Sequence, residues 1–369
     1  MNRRDCDVVV IGAGTIGLFT ALNLAERGRR VTVLERRTAW REASGVNAGS
    51  LGVQNKLVPL VPYTLASFEI WKTLERRLGR DIGYHRTGGY KVATSADEEE
   101  RLRAGFEAQI AAGLRAEWKT AETLRREAPW MSDSVVAATY SDDDGHASPI
   151  RLGPALVDAL RHAKVDLIEG VEILGMEANG GIRIDTKGEA FRAREIVIAA
   201  NAWSARLAAM LGVSLPISLD VNMVSVTEPA PLTVGKMVTH ARGILTVKQV
   251  ANGSCLIGGG WQGVGTLDDM AKDIDFDQLT HNLVLASSVL PGLKKLHVLR
   301  SWAGYEGVSP DSLPYLGRLP GHERAYVAAC ARGGFTLGPL FGQLMAQLIV
   351  DGQPSIAIDG FNPGRFGNG

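Results

Sequence analysis

An α/β fold is predicted by three features of this sequence. A buried strand, glycine loop and helix open the chain, the same succession recurs near its end, and a long alternating segment lies between them. The first unit runs from the apolar strand Asp7–Ile11 into a helix over Gly14–Arg27, then to a second strand at Val31–Glu35. That βαβ start predicts a Rossmann-like parallel sheet. Leu65–Leu78 reads as an amphipathic helix, and Asp97–Ala112 as another whose first turn is rich in Glu, as a helix N-terminus favours. Ile150–Arg161 begins a helix behind Ser148-Pro149. Val171–Met176, Ile182–Thr186 and Phe191–Arg194 are short strands parted by Gly-containing turns, and Ile196–Ala200 has the continuous apolar run of a central parallel strand. From Ile217 to Gly258 the pattern alternates as in an antiparallel sheet. Gln278–Leu290 reads as a helix ended by Pro291-Gly292, Tyr326–Ala329 as a buried strand, and Gly338–Val350 as the final helix. The expected architecture is a discontinuous nucleotide-binding domain (1–82, 140–215 and 295–369) with a β-rich substrate domain inserted (83–139 and 216–294).

Composition narrows the function. At 369 residues and 45% hydrophobic, the chain can bury a large core. Forty basic and forty acidic residues balance, which gives no electrostatic case for nucleic acid or an anionic membrane as partner. Cys6, Cys255 and Cys330 lie far apart, so neither a disulfide framework nor a metal site is expected. The basic, then apolar N-terminus runs straight into a glycine motif without a cleavage site and reads as a folded strand. No stretch reaches 18 uninterrupted apolar residues. The expectation is a soluble, cytoplasmic protein without a transmembrane segment.

Gly12-Ala13-Gly14-Thr15-Ile16-Gly17 matches GxGxxG between a strand and a helix. Glu35 ends the next strand at about the 20-residue spacing of a ribose-binding acid. In this motif Gly12 permits the tight turn, Gly14 lets the backbone approach a pyrophosphate at the helix N-terminus, and Gly17 lets helix and strand pack closely. An acid at position 35 disfavours a 2′-phosphate, so NADP is not expected. FAD and NAD remain open from the motif alone.

Further segments carry a resemblance. Ala43-Ser44-Gly45-Val46-Asn47-Ala48-Gly49-Ser50-Leu51, Thr87-Gly88-Gly89-Tyr90, Asp144-Gly145-His146 and Val197–Ser204 occur in that order. Trp302-Ala303-Gly304, Ser309-Pro310-Asp311 and Gly333–Pro339 follow them. Together they resemble the D-amino-acid oxidase superfamily of FAD-dependent oxidoreductases across essentially the whole chain. The resemblance implies that FAD is held by Gly12, Gly14, Thr15, Ile16, Gly17, Glu35, Arg36, Ser44, Asn47, Ala48, Gly49 and Ser50. It also implies contacts from Val171 through its backbone, from Ala200, Trp203 and Gly304, and from Gly333, Gly334, Phe335, Thr336 and Leu337 along the flavin edge.

Departures from the family pattern carry information too. The stretch after Trp302 has no Cys, and Asn47 stands where some relatives place a flavin-linking His, so the FAD is expected to be non-covalent. Cys330 reads as a buried apolar thiol. Relatives acting on glycine place an Arg just after the Trp-Ala-Gly triplet, where its guanidinium fork clamps a carboxylate; here that residue is Glu306. The Trp302-Ala303-Gly304 stretch with Glu306 and Gly307 resembles multi-subunit dehydrogenases for opines and hydroxyproline, and the Ala43–Leu51 loop followed by Val53-Gln54-Asn55-Lys56 looks closest to the B subunits of opine oxidases. On this resemblance Arg332 positions a substrate carboxylate and Glu306 binds or deprotonates the amine end, with Tyr305, His85 and Lys248 as weaker candidates. The alternative for Glu306 is a structural ion pair, and for Arg332 a surface position. Three functions compete. The first is a catalytic subunit of a hetero-oligomeric dehydrogenase whose partner subunit carries the electron-transfer centres. The second is a self-contained oxidase of glycine, sarcosine or D-amino acids that releases peroxide. The third is a non-catalytic FAD-binding scaffold.

Overall fold

The computed structural model describes residues 4–178, 180–231, 234–329 and 332–367, so Cys330 lies outside the described residues. Two eight-stranded sheets organise the chain. In the first, Tyr315–Arg318, Ala325–Ala329, Ala190–Ile198, Arg4–Ile11, Val31–Leu34 and Asp166–Ile168 lie side by side. The four strands from Ala325–Ala329 to Val31–Leu34 run parallel, with Val10 beside both Val197 and Val33. Burial on both faces explains their unbroken apolar runs. Val8, Val9, Val10, Val33, Ile196, Val197 and Ile198 are all fully buried.

Helices Thr15–Glu26, Val61–Leu78, Pro149–His162 and Gly334–Asp351 contribute to one large core with this sheet. The last helix starts four residues before the expected Gly338. Its first turn hides in a run of Gly and Pro, poor helix formers in a helix interior. Tertiary contacts hold that turn instead. The Thr336 carbonyl accepts from Ser67 Oγ at 2.6 Å and Trp71 Nε1 at 2.8 Å. Residues 190–198 form one strand, where the sequence suggested two. One edge of it runs parallel to the first strand from Phe191 to Ile198, while on the other edge its first half pairs antiparallel with Ile182–Thr186 and its second half parallel with Ala325–Ala329.

The second sheet is ordered Val298–Val308, Ser218–Thr227, Cys255–Gly258, Thr246–Gln249, Met237–His240, Gly89–Ala93, Ala137–Ser141 and Glu117–Thr120. By sheet membership Val298–Val308, expected with the nucleotide-binding segments, goes with the inserted sheet. Its neighbour is Ser218–Thr227, in a register that sets Asp220 opposite Glu306, Val221 opposite Tyr305 and Asn222 opposite Gly304. No helix of the described residues is long and apolar enough to cross a membrane.

Candidate active site

Two adjoining cavities lie at the ends of the first sheet's parallel strands, and the larger also meets the second sheet. The smaller, of about 330 Å³, is bordered by Gly12, Glu35, Arg36, Val171, Ala200 and Trp203. The larger, of about 570 Å³, is bordered on one side by Thr15, Ile16, Asn47, Ala48 and Ser50, and on the other by Gly304, Glu306 and Arg332–Phe335. The two share Gly14, Ala43, Ser44, Ala199 and Asn201. The two lobes therefore adjoin at the glycine loop.

The loop is shaped for close approach. Gly12 has φ +109°, and a Cβ there would stand 2.6 Å from the Ala199 carbonyl oxygen. A Cβ on Gly17 would meet the Gly12 oxygen at 2.0 Å, so Gly17 packs behind the loop instead of lining the lobes. The N-cap, Gly14, has no side chain to cap the helix that starts at Thr15, so beyond the Thr15 N–H, which Ser44 takes, its first N–H groups form an anion site. Ser44 Oγ accepts from the Thr15 N–H at 2.8 Å and from Thr15 Oγ1 at 2.9 Å, tying the second loop to the first.

In the smaller lobe the Glu35 carboxylate accepts from the N–H groups of Ala13 and Arg37, both at 2.9 Å. It stays at the strand end with acceptor capacity left for ribose hydroxyls. Arg36 lies over the Trp203 ring at 4.7 Å. The Val171 N–H is taken by the Glu35 carbonyl at 2.9 Å, so any contact with a base there falls to its carbonyl. Trp203 Nε1 is buried with no partner among the described residues. A buried donor without a partner is costly, and the Trp203 side chain borders this lobe. A glycine turn at a helix start and an acid at the ribose position fit an adenine dinucleotide.

Gly49, Thr336 and Leu337 stand behind the larger lobe. Gly49 makes the turn that Asn47 Oδ1 caps at 2.6 Å. Thr336 Oγ1 donates to the Ser50 carbonyl at 3.3 Å, and Leu337 is fully buried. Lys248 is 2% exposed and donates to Ser50 Oγ at 2.8 Å from behind the loop; burial pushes its ammonium down to about 7. His85 is an exposed residue whose backbone pairs with that of His146, and it borders neither lobe.

The strand pair Ser218–Thr227 and Val298–Val308 decides the larger lobe. Side chains alternate along a strand, so Asp220, Asn222 and Glu306 share one face while Tyr305 and Val221 share the other. Tyr305 also borders the lobe, but its ring lies on the strand face opposite Glu306. Its hydroxyl stands between the Thr266 and Ala271 carbonyls, 2.7 and 2.5 Å away, either of which can take its one proton, and its ring meets Trp203 edge-on. With its hydroxyl already engaged by the protein, the bonding favours a structural role for Tyr305 over the expected catalytic one. Glu306 faces the cavity, and its Oε2 accepts from Asn222 Nδ2 at 2.5 Å. Gln262 Nε2 orients Asn222 by donating to its Oδ1 at 2.8 Å. Burial raises the Glu306 carboxyl above the ordinary range, and Asp220 across the strand pair adds to it; Arg332, Lys56 and the Asn222 hydrogen bond oppose it. Arg332 also borders the cavity, but its guanidinium is paired with Asp220 and its side chain is 45% exposed. It stands at the mouth, already partnered.

Three functional features escape sequence reasoning. Asp220 and Asn222 surround Glu306 only through strand register. Asp144 is buried at the centre of a hydrogen-bonded network, and Lys56 reaches the cavity from the loop behind Ser50. The last two sit inside segments that carry the resemblance, which was the one signal available.

Comparison with known proteins agrees with this geometry. The chain matches the family model described as FAD dependent oxidoreductase over residues 7–348. It is 32% identical over 354 residues to glycine oxidase of Geobacillus kaustophilus (strain HTA426), covering 93% of this chain and 92% of that protein. It is 29% identical to the B subunit of the opine oxidase of Agrobacterium tumefaciens (strain Ach5), covering 98% of each. The solved structure of L-proline dehydrogenase from P. horikoshii matches with a TM-score of 0.91 and 27% identity, covering 99% of this chain and 98% of that one.

Proposed function

Because the chain belongs to the DAO family of FAD-dependent oxidoreductases, we propose that it oxidises the C–N bond of a secondary amino acid such as an opine or D-hydroxyproline. In this reading it is the catalytic subunit of a hetero-oligomeric dehydrogenase. FAD, when bound, supplies the hydride acceptor. The chain's own residues bind and orient the amine and carry its charge. The observation that carries the substrate class is Glu306: a carboxylate on the cavity wall, fixed by Asn222 and facing the reaction space, suits a cationic amine or guanidinium. Arg332 at the mouth suits an outer carboxylate, which an opine has and glycine lacks.

FAD binding is non-covalent in this reading. Asn47 offers no linking nucleophile, and Cys6 and Cys255 are buried and border neither lobe. The hetero-oligomeric reading draws on the similarity to one component of an opine oxidase and on the three cysteines, too few for an iron–sulfur relay in this chain. The self-contained oxidase remains the second reading, favoured by the glycine oxidase at 32% identity.

Anaerobic stopped-flow absorbance at the flavin band decides between them, with octopine, nopaline, D-hydroxyproline, D-alanine, sarcosine and glycine as the panel. Rapid bleaching by an opine or imino acid, with slow recovery in air, is the expected outcome. Bleaching by glycine with fast aerobic recovery and peroxide release establishes the second reading. Bound flavin that no amine bleaches leaves a scaffold. A hydrogen bond to a charged group contributes about 1.5–3 kcal/mol, so Glu306→Gln should lower kcat/KM about 10- to 100-fold with bound FAD retained. Protonation discharges Glu306, so kcat/KM of the wild type should fall with acidification at a pH above the ordinary carboxylate range. The Gln variant should lack that limb; an unchanged limb would show that another group titrates.

A further inference from the structure

The larger lobe is bordered by three basic residues, Lys56, Arg242 and Arg332. Two of them are already neutralised by protein carboxylates. Arg332 is paired with Asp220, and Arg242 Nε lies 2.8 Å from Glu98 Oε1. Lys56 has neither an ion pair nor a hydrogen bond from its ammonium to any described residue. The end of its side chain lies against Gly333, where a Cβ would stand 1.7 Å from Nζ and 2.8 Å from Cε. Gly333 is the N-cap of the final helix and no side chain caps it. An ammonium and the positive end of an 18-residue helix therefore converge on one spot, an arrangement unfavourable until an anion joins it.

The loop that carries Lys56 is held with unusual care. Asp144, 1% exposed, accepts from the Val53 N–H and from Gln54 Nε2, both at 2.7 Å. Thr139 Oγ1 donates to Gln54 Oε1 at 2.6 Å, and Lys91 Nζ donates to the Gln54 carbonyl at 3.0 Å. Gln109 Nε2 donates to the carbonyls of Gln54 and of Lys56 itself, at 3.0 and 2.8 Å. Buried polar networks satisfied at every member rigidify what they hold. The side chain this one delivers to the cavity is Lys56, across the lobe from Glu306.

We infer that Lys56 is the residue that binds the substrate carboxylate beside the reacting carbon, with Glu306 taking the amine end. A zwitterionic amino acid then meets one unpaired cation and one carboxylate, while Arg332 serves the mouth. This rests on the amino-acid oxidation proposed above and assigns the inner carboxylate to a residue that reading leaves without a role. Lysine acts here as a point charge on a flexible stem, which suits carboxylates borne on differing carbon skeletons.

The test uses the FAD-loaded protein and a dead-end probe, propionate, against its uncharged isostere propionamide. Both are read by perturbation of the flavin absorbance. Wild type should bind propionate at least about tenfold more tightly. Lys56→Met should lose that preference, and Lys56→Arg should restore most of it, with FAD content and melting temperature unchanged in both. With the amine identified from the oxidation panel, Lys56→Met should raise KM by tenfold or more with a smaller change in kcat. A Lys56→Met protein that keeps both the propionate preference and the wild-type KM overturns the assignment while leaving the amine oxidation intact. A wild type that oxidises no amine overturns the underlying reading and this assignment with it.

Discussion

The two lobes of the site are made of different material. The smaller is built largely from backbone: a glycine turn and a carboxylate held by two peptide N–H groups. The larger is lined by charge, with Glu306 and Lys56 around one space, the exposed Arg332 at its mouth, and the buried Asp144 and Lys248 just behind it. Backbone sites tolerate side-chain change as long as no Cβ intrudes. Charged walls can be re-lettered by single substitutions and so set what reacts. The cofactor lobe should therefore fail by steric intrusion, and the substrate lobe by loss of charge.

The largest effect should come from the glycine turn. Gly12→Ala sets a Cβ 2.6 Å from the Ala199 carbonyl oxygen at φ +109°. Strain of this kind costs about 1–3 kcal/mol before the clash is counted. The purified variant should hold little or no flavin and unfold at markedly lower urea. A variant with a full flavin complement would show that the turn relaxes, and would break the claim that this lobe is limited by backbone space.

Next comes the network behind the charged lobe. Asp144→Ala removes the acceptor for the Val53 N–H and the Gln54 amide. Each buried group left unpaired costs about 1–3 kcal/mol, so the urea midpoint should report a loss of roughly 2–5 kcal/mol. Flavin content should survive and the propionate preference should fall, because the loop that aims Lys56 loosens. Loss of flavin with retained preference would reverse the proposed division of labour.

The same contrast explains what was legible in the sequence. Backbone sites are local: Gly12, Gly14, Gly17 and Glu35 lie within one βαβ unit, and their spacing alone states their geometry. Charged walls are not local. Asp144 meets Gln54 from 90 positions away and Asn222 meets Glu306 from 84, distances that no periodicity encodes. Glu306 stands out in the sequence only where relatives differ, and Lys56 looks like any other loop residue. The first turn of the last helix escapes because its propensity is poor and Ser67 and Trp71 hold it. There, tertiary bonds override a real local preference.

Tyr305 offers the smallest effect and the sharpest check on which side of a strand is chemical. It adjoins Glu306 in sequence, yet strand alternation turns its ring to the opposite face, where its hydroxyl stands between the Thr266 and Ala271 carbonyls. Tyr305→Phe should lower stability by about 1 kcal/mol and leave kcat within about twofold of wild type. Glu306→Gln, one residue on, should do the reverse, with stability held and kcat/KM reduced. If Tyr305→Phe instead abolished turnover at unchanged stability, the two faces of the Val298–Val308 strand would have to be exchanged. Asp220 and Asn222 would then leave the substrate wall together with Glu306, because register ties all three to the same face.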